Sequence, residues 1–186
     1  MENTEQVEFL QAFRAQAARL VKQPEEALAA LFDLTAARLV RFSMTITRNQ
    51  MDAEDALQGA FTRIARRPQL LAKADTPWPY LIRTVRNESL RVLQKRRTAG
   101  LGDIEIGSGQ SPAIAEMIQE ETADRVRRVL ETLPPAQYEV VILKHWEELT
   151  FAEIAEVLGK SQNTVASRYR YAMEKLQRNL EPLMQN

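Results

Sequence analysis

Residues 149–176 read LTFAEIAEVLGKSQNTVASRYRYAMEKL, two helical periods separated by a single glycine. Thr150 and Glu153 have the T-x-x-E spacing of a capping box, in which each side chain satisfies the other residue's backbone N–H at a helix start. Behind that cap Phe151, Ile154, Ala155 and Leu158 recur at helical steps and form an inner face. Gly159 supplies a tight turn, and Ser161 is placed to cap the next helix. In that second helix Val165, Tyr169, Ala172, Met173 and Leu176 face a core. This turns Asn163, Thr164, Ser167 and Tyr171 outward, with Arg168 and Arg170 on the shoulders. Short polar side chains approach base edges while flanking arginines hold phosphates, which is what a major-groove reader needs. A plain αα-hairpin would need the turn but not that outward polarity. The stretch is therefore expected to be a helix-turn-helix whose second helix recognises DNA.

The charge total does not advertise such a partner: 25 Lys and Arg balance 25 Asp and Glu. Its distribution does. Arg83, Arg86, Arg91, Lys95, Arg96 and Arg97 face only Glu88 in one segment. From Thr98 to Asp124 the sign inverts, with Asp103, Glu105, Glu116, Glu120, Glu121 and Asp124 and no Lys or Arg. That stretch opens with TAGLGDIEIGSGQSP, which holds four of the chain's six glycines, and residues 98–112 are read as a flexible linker.

Either side of the linker looks helical. PEEALAALFDLTAARLVRFSM, DAEDALQGAFTRIARR and PYLIRTVRNESLRVLQKRR upstream, and AEMIQEETADRVRRVLETL and PAQYEVVILKHWEEL downstream, all space apolar residues by three and four. The expected fold is all-α, with one small helical domain over residues 1–97 and a second over 113–186. A chain of 186 residues with 45% hydrophobic content can bury one ordinary core or two small ones. Cysteine is absent, which excludes disulfides and thiolate metal sites and suits a reducing compartment. The N-terminal MENTEQVEFLQAFRAQ has no apolar core of a signal peptide, and no run approaches a membrane span, so a cytoplasmic protein without membrane insertion is expected.

Two upstream helices carry outward faces of opposite chemistry. In the first, Ala53, Ala56, Leu57, Ala60, Phe61 and Ile64 form a core stripe, while Asp55, Gly59 and Thr62 lie opposite with Asp52 and Gln58 flanking. Glycine inside a helix costs about 1 kcal/mol against alanine, so Gly59 is either tolerated or a place where another backbone comes close. In the second, Ile82, Val85, Ser89 and Val92 point inward, and Arg83, Asn87 and Gln94 point away with Arg86 and Arg91 beside them. Trp78 and Tyr80 precede this basic face. They either stack on bases of a separated strand or anchor a core beneath a merely solubilising surface.

Taken in order, these segments resemble a bacterial RNA polymerase sigma factor of the extracytoplasmic-function group of the sigma-70 family. DAEDALQGAF resembles that family's D-A-E-D-L-V-Q-E-x-F, which implies docking of Asp52, Asp55 and Gln58 on the clamp helices of the polymerase beta-prime subunit. PYLIRTVRNESLRVLQKRR is similar to W-L-F-R-I-A-R-N-x-x-x-D-x-x-R-R, the segment that recognises and opens the minus-ten element. Residues 133–177 resemble region four, whose helix-turn-helix reads the minus-thirty-five element. Four positions depart from the pattern: Gly59 stands at a usual Glu, Tyr80 at a usual Trp, Arg91 at a common Asp and Tyr171 at a frequent Arg.

The resemblance implies a binding protein with no covalent step, cofactor or metal of its own. Core polymerase would be one partner and promoter DNA, duplex and locally single-stranded, the other. Trp78, Tyr80, Arg83, Arg86, Asn87 and Arg91 would meet the opened strand, and Ser161, Asn163, Thr164, Ser167, Arg168, Arg170 and Tyr171 the duplex. An anti-sigma factor is a further candidate partner. Two alternatives are a helix-turn-helix regulator that never joins polymerase and a sigma-like decoy for an anti-sigma factor. Neither explains both the acidic docking face and the arginines. Enzymatic chemistry has little to build on: His145 is the only histidine and has no obvious partner, and the Asp and Glu residues show no metal-ligand spacing.

Overall fold

Prolines mark the helix starts. Pro24, Pro68, Pro77 and Pro135 each occupy the first helical position, where the missing N–H would have had no partner in any case. The computed structural model describes residues 4–99 and 128–184. Its helices are α1 (Thr4–Arg19), α2 (Pro24–Thr47), α3 (Gln50–Arg66), α4 (Pro68–Ala72), α5 (Pro77–Thr98), α6 (Pro135–His145), α7 (Phe151–Leu158) and α8 (Gln162–Met184). A short helical stretch over 128–131 precedes α6, and no strand occurs among the described residues. The chain divides into two compact units, one holding α1 to α5 and the other α6 to α8. Of the expected linker only residues 98 and 99 are described, and they end α5. The rest of it, the acidic stretch to Asp124 and most of the helix expected over 115–133 lie outside the described residues.

In the first unit α2, α3 and α5 share a core. Leu31, Leu39 and Phe42 of α2 are buried with the expected α3 stripe and with Leu81, Ile82 and Val85 of α5. Each such side chain contributes about 2 kcal/mol by leaving water. Within this apolar set the hydroxyls of Ser43 and Ser89 bond to each other at 2.7 Å, so α2 and α5 are joined without an orphaned polar group. The α2–α3 turn is made by Arg48 in the left-handed region (φ 53°) and by Asn49, whose side chain accepts the Asp52 N–H at 3.0 Å and caps α3.

Helix α1 was not anticipated from its pattern. Phe13, Ala17 and Leu20 are buried, and Phe9 and Phe13 pack edge-on against Trp78 with centroids 4.9 and 5.2 Å away. The Arg38 guanidinium lies 5.2 Å from the Trp78 ring and donates to Gln6 at 2.8 Å. No helix among the described residues is long and apolar enough to cross a membrane.

The second unit is built on Val140, Leu143, Ile154, Val157, Val165 and Ala172, all buried. Trp146, Tyr138, Met173 and Leu176 pack partly buried against Leu130, Leu133, Val141 and Ala172. Lys175 donates to the Thr132 carbonyl at 2.5 Å and Asn179 to its hydroxyl at 2.9 Å, tying the second half of α8 to the segment before α6.

Candidate functional site

The α7–α8 turn has the local chemistry its sequence implies. The Glu153 carboxylate accepts the Thr150 N–H at 2.8 Å and the Thr150 hydroxyl accepts the Glu153 N–H at 3.3 Å, completing the capping box. Gly159 closes α7 at φ 60°, a left-handed conformation that glycine adopts without a β-carbon penalty. Ser161 then accepts the Thr164 N–H at 3.2 Å, and the two hydroxyls bond at 2.8 Å. Thr164 is thereby half-buried and engaged in the cap, while Asn163, Ser167, Arg170 and Tyr171 are exposed and Arg168 is half-buried. Arg170 lies over the Tyr171 ring at 4.9 Å, which places a cation and an aromatic edge on one shoulder of α8.

Tyr169 fixes the other side of this helix. Its ring lies 5.3 Å from Phe151, and its hydroxyl is 2.9 Å from His145 Nε2. The sequence showed no partner for His145; the partner is on α8, where only the fold brings it close. His145 is exposed overall, yet partial desolvation of its imidazole beside Tyr169, reinforced by the neighbouring Lys144 charge, holds its pKa below the ordinary histidine value.

On α5, Arg83, Asn87, Arg91 and Gln94 are exposed, and Tyr80 and Arg86 are half-buried. Trp78 corrects an expectation. At 2% exposure, enclosed by Phe9, Phe13 and Arg38, it anchors the core and presents no ring face to a nucleic-acid strand. The physical reason is α1, whose aromatic stripe needs an apolar surface and finds it at the start of α5.

The acidic face of α3 is less uniform than its spacing suggests. Asp55 and Gln58 are exposed, and Gln58 borders an open apolar groove of about 400 Å³ lined by Leu28, Phe32, Phe61 and Ala65. Asp52 is turned toward α5 and pairs with Arg96. Gly59 also faces α5, not solvent: a β-carbon built there would lie 3.2 Å from Glu88 Oε2. Of the two alternatives for Gly59, the close approach is the one the fold adopts, although a side chain makes it and not a backbone. Glu88 itself is 5% exposed and stands between Arg63 (3.6 Å) and Arg91 (3.2 Å). In the sequence Glu88 is a lone countercharge among basic residues, and its place at a helical step between Val85 and Val92 is the sign that it lies at the edge of the buried face.

Comparison with known proteins bears on these surfaces. Sigma-70 region 2 matches residues 31–99, and Sigma-70, region 4 matches residues 123–176. An RNA polymerase sigma-E factor of Streptomyces avermitilis is 32% identical over 146 residues, covering 77% of this chain and 79% of the relative. The ECF RNA polymerase sigma factor SigL of Mycobacterium tuberculosis is 29% identical over 166 residues, covering 83% and 89%. Among solved structures, CnrH in complex with the cytosolic domain of CnrY superposes with a TM-score of 0.63 at 22% identity, over 92% of this chain and 98% of that one. The sigma factor RpoE in complex with the anti-sigma factor NepR from Bartonella quintana gives 0.62 at 21% identity, over 81% and 94%. Those two show the fold. With both regions present in order and the two helical units each carrying its region, the chain belongs to the extracytoplasmic-function group of the sigma-70 family of RNA polymerase sigma factors.

Proposed function

We propose that this sigma factor binds core RNA polymerase, recognises the minus-thirty-five and minus-ten elements of a promoter, and promotes opening of the DNA. The observation that carries this is the pairing of two exposed polar and basic helix faces, on α5 and α8, one in each matched region, each with its apolar back buried. Asp55 and Gln58, the latter beside the apolar groove, dock on the beta-prime clamp helices, with Asp52 at the edge of that surface. On α8, Asn163, Thr164, Ser167 and Tyr171 read base edges, while Ser161, Arg168 and Arg170 hold the backbone. On α5, Arg83, Arg86 and Arg91 hold phosphates, Asn87 captures an extruded base and Tyr80 lies at its flank. Taking a base out of the stack costs a few kcal/mol, offset by its capture and by polymerase contacts.

The functional division is residues 1–97, a linker over 98–112, and 113–186, acting in the cytoplasm where polymerase works. An anti-sigma factor is a proposed inhibitor, by analogy with the solved RpoE–NepR complex. Transcription from a randomised promoter library, with core polymerase and with or without this protein, tests the proposal. Enrichment of templates sharing two spaced elements, only when the protein is present, is the expected result. Duplex binding with no polymerase-dependent transcription would instead identify a regulator that acts alone.

A further inference from the structure

Glu88 is the one acidic residue between Arg83 and Arg97 of α5, and it is buried under two cations from two helices. Its Oε1 is 3.6 Å from Arg63 Nη1 on α3, and its Oε2 is 3.2 Å from Arg91 Nη1 on α5. At the other end of the same helix pair, Asp52 and Arg96 neutralise each other one to one. Around Glu88 the count is two cations to one anion, so a net positive charge faces solvent. The Arg63 and Arg91 side chains are 58% and 77% exposed. Each guanidinium carries five N–H donors, and the contact with Glu88 is made through one Nη of each, which leaves the other donors of these exposed side chains for a ligand. Arg91 lies one helical turn beyond Asn87 and two beyond Arg83, so Arg63 extends that strip sideways onto α3. Gly59 is what allows the arrangement, because a side chain there would crowd the carboxylate that both arginines share.

We propose that Arg63 and Arg91 form one phosphate-binding pair for a promoter strand, with Glu88 as the positioning residue that holds them side by side. This rests on the nucleic-acid reading of α5. The ligand is a phosphodiester backbone, which a single strand and a duplex both offer.

Salt-dependent binding of labelled single-stranded and duplex promoter oligonucleotides, by the full chain alone and in its complex with core polymerase, tests the pair. Arg63→Ala should lower the slope of log affinity against log salt by about 0.7 on a single strand or about 0.9 on a duplex. It should weaken binding about five-fold near 0.1 M salt, without altering sequence preference. The arm that shows the loss identifies the form bound. Arg63→Lys should retain the slope, and Arg14→Ala, which removes a charge on α1, should leave it unchanged. Coupling through Glu88 makes the loss in the Arg63→Ala, Arg91→Ala double variant smaller than the product of the single losses, and Glu88→Gln should make the losses multiply. An unchanged slope for Arg63→Ala on both forms, or an equal fall for Arg14→Ala, overturns the pair while leaving the sigma-factor reading intact. Multiplying losses with Glu88 in place overturn its positioning role. Wild-type protein that binds neither form, with or without polymerase, overturns both the pair and the nucleic-acid reading.

Discussion

Asp52 and Arg96 pair across the α3–α5 interface, joining the helix assigned to polymerase docking to the end of the helix assigned to promoter DNA. Asp55, one turn further along α3, is exposed and has no ion-pair partner among the described residues. The two acids should therefore answer differently to substitution.

Asp55→Arg should abolish association with core polymerase and leave the melting temperature close to wild type, since charge reversal at an exposed site is within about 0.5 kcal/mol. Asp52→Ala should cost about 1 kcal/mol through loss of the partly buried pair, with a smaller effect on polymerase. Co-purification and thermal melting read both. Wild-type polymerase retention by Asp55→Arg would remove α3 from the docking surface.

For duplex recognition, Arg168→Ala should weaken binding to all sequences alike. Asn163→Ala or Ser167→Ala should shift which sequences are preferred, by about 1–3 kcal/mol for each lost base contact. Selection from a randomised duplex pool separates the two. Identical losses on every sequence for both kinds of variant would contradict the division between base readers and phosphate holders.

Asn87 should matter only once strands separate. Asn87→Ala is expected to lower transcription from an ordinary duplex promoter and to be largely rescued on a template already mismatched through the minus-ten region, because the unpairing cost is then gone. Its affinity for polymerase should not change. A defect of equal size on both templates would place its action outside opening.

His145 gives the second unit a pH dependence whose sign is fixed. Its pKa is lowered in the folded chain, by burial first and Lys144 second, so the unfolded chain binds more protons between the folded value and the ordinary 6.5. The stability contributed by the neutral ring is fully present above pH 6.5 and is lost as pH falls through the folded pKa. Melting curves from about pH 7.5 down to 5 should show wild type losing more stability than His145→Gln. Parallel losses in the two proteins would remove His145 as the titrating group.

How far the sequence could be read depended on the range of each interaction. The capping box, the Gly159 turn, the Ser161 cap and the α3 stripe are set by neighbours within one helical turn, so spacing alone revealed them. Periodicity tells which face is buried but not what lies against it, so the surroundings of Glu88 and the choice between stacking and core anchoring for Trp78 were not legible. The carboxylate of Glu88 is held by Arg63 and overlies Gly59, both on another helix. The rings around Trp78 come from α1, whose Phe9, Phe13 and Ala17 sit at helical steps continued by Leu20 just beyond it, a pattern that marks a buried face but not its partner. The acidic face of α3 was legible in composition, whereas the inward turn of Asp52 depended on where Arg96 arrived.

The chain's two tryptophans are divided between its units: Trp78 is sealed among Phe9, Phe13 and Arg38 in one, and Trp146 packs partly covered in the other. Each unit thus carries its own intrinsic fluorophore. With excitation selective for tryptophan over the four tyrosines, Trp146→Phe leaves emission that reports only on the α1–α5 unit, and Trp78→Phe leaves emission that reports only on the α6–α8 unit. Denaturant titrations of the two single-tryptophan proteins would resolve which unit melts first, and quenching of the partly covered Trp146 by a small solute would register, without any attached dye, when a partner covers the α6–α8 unit.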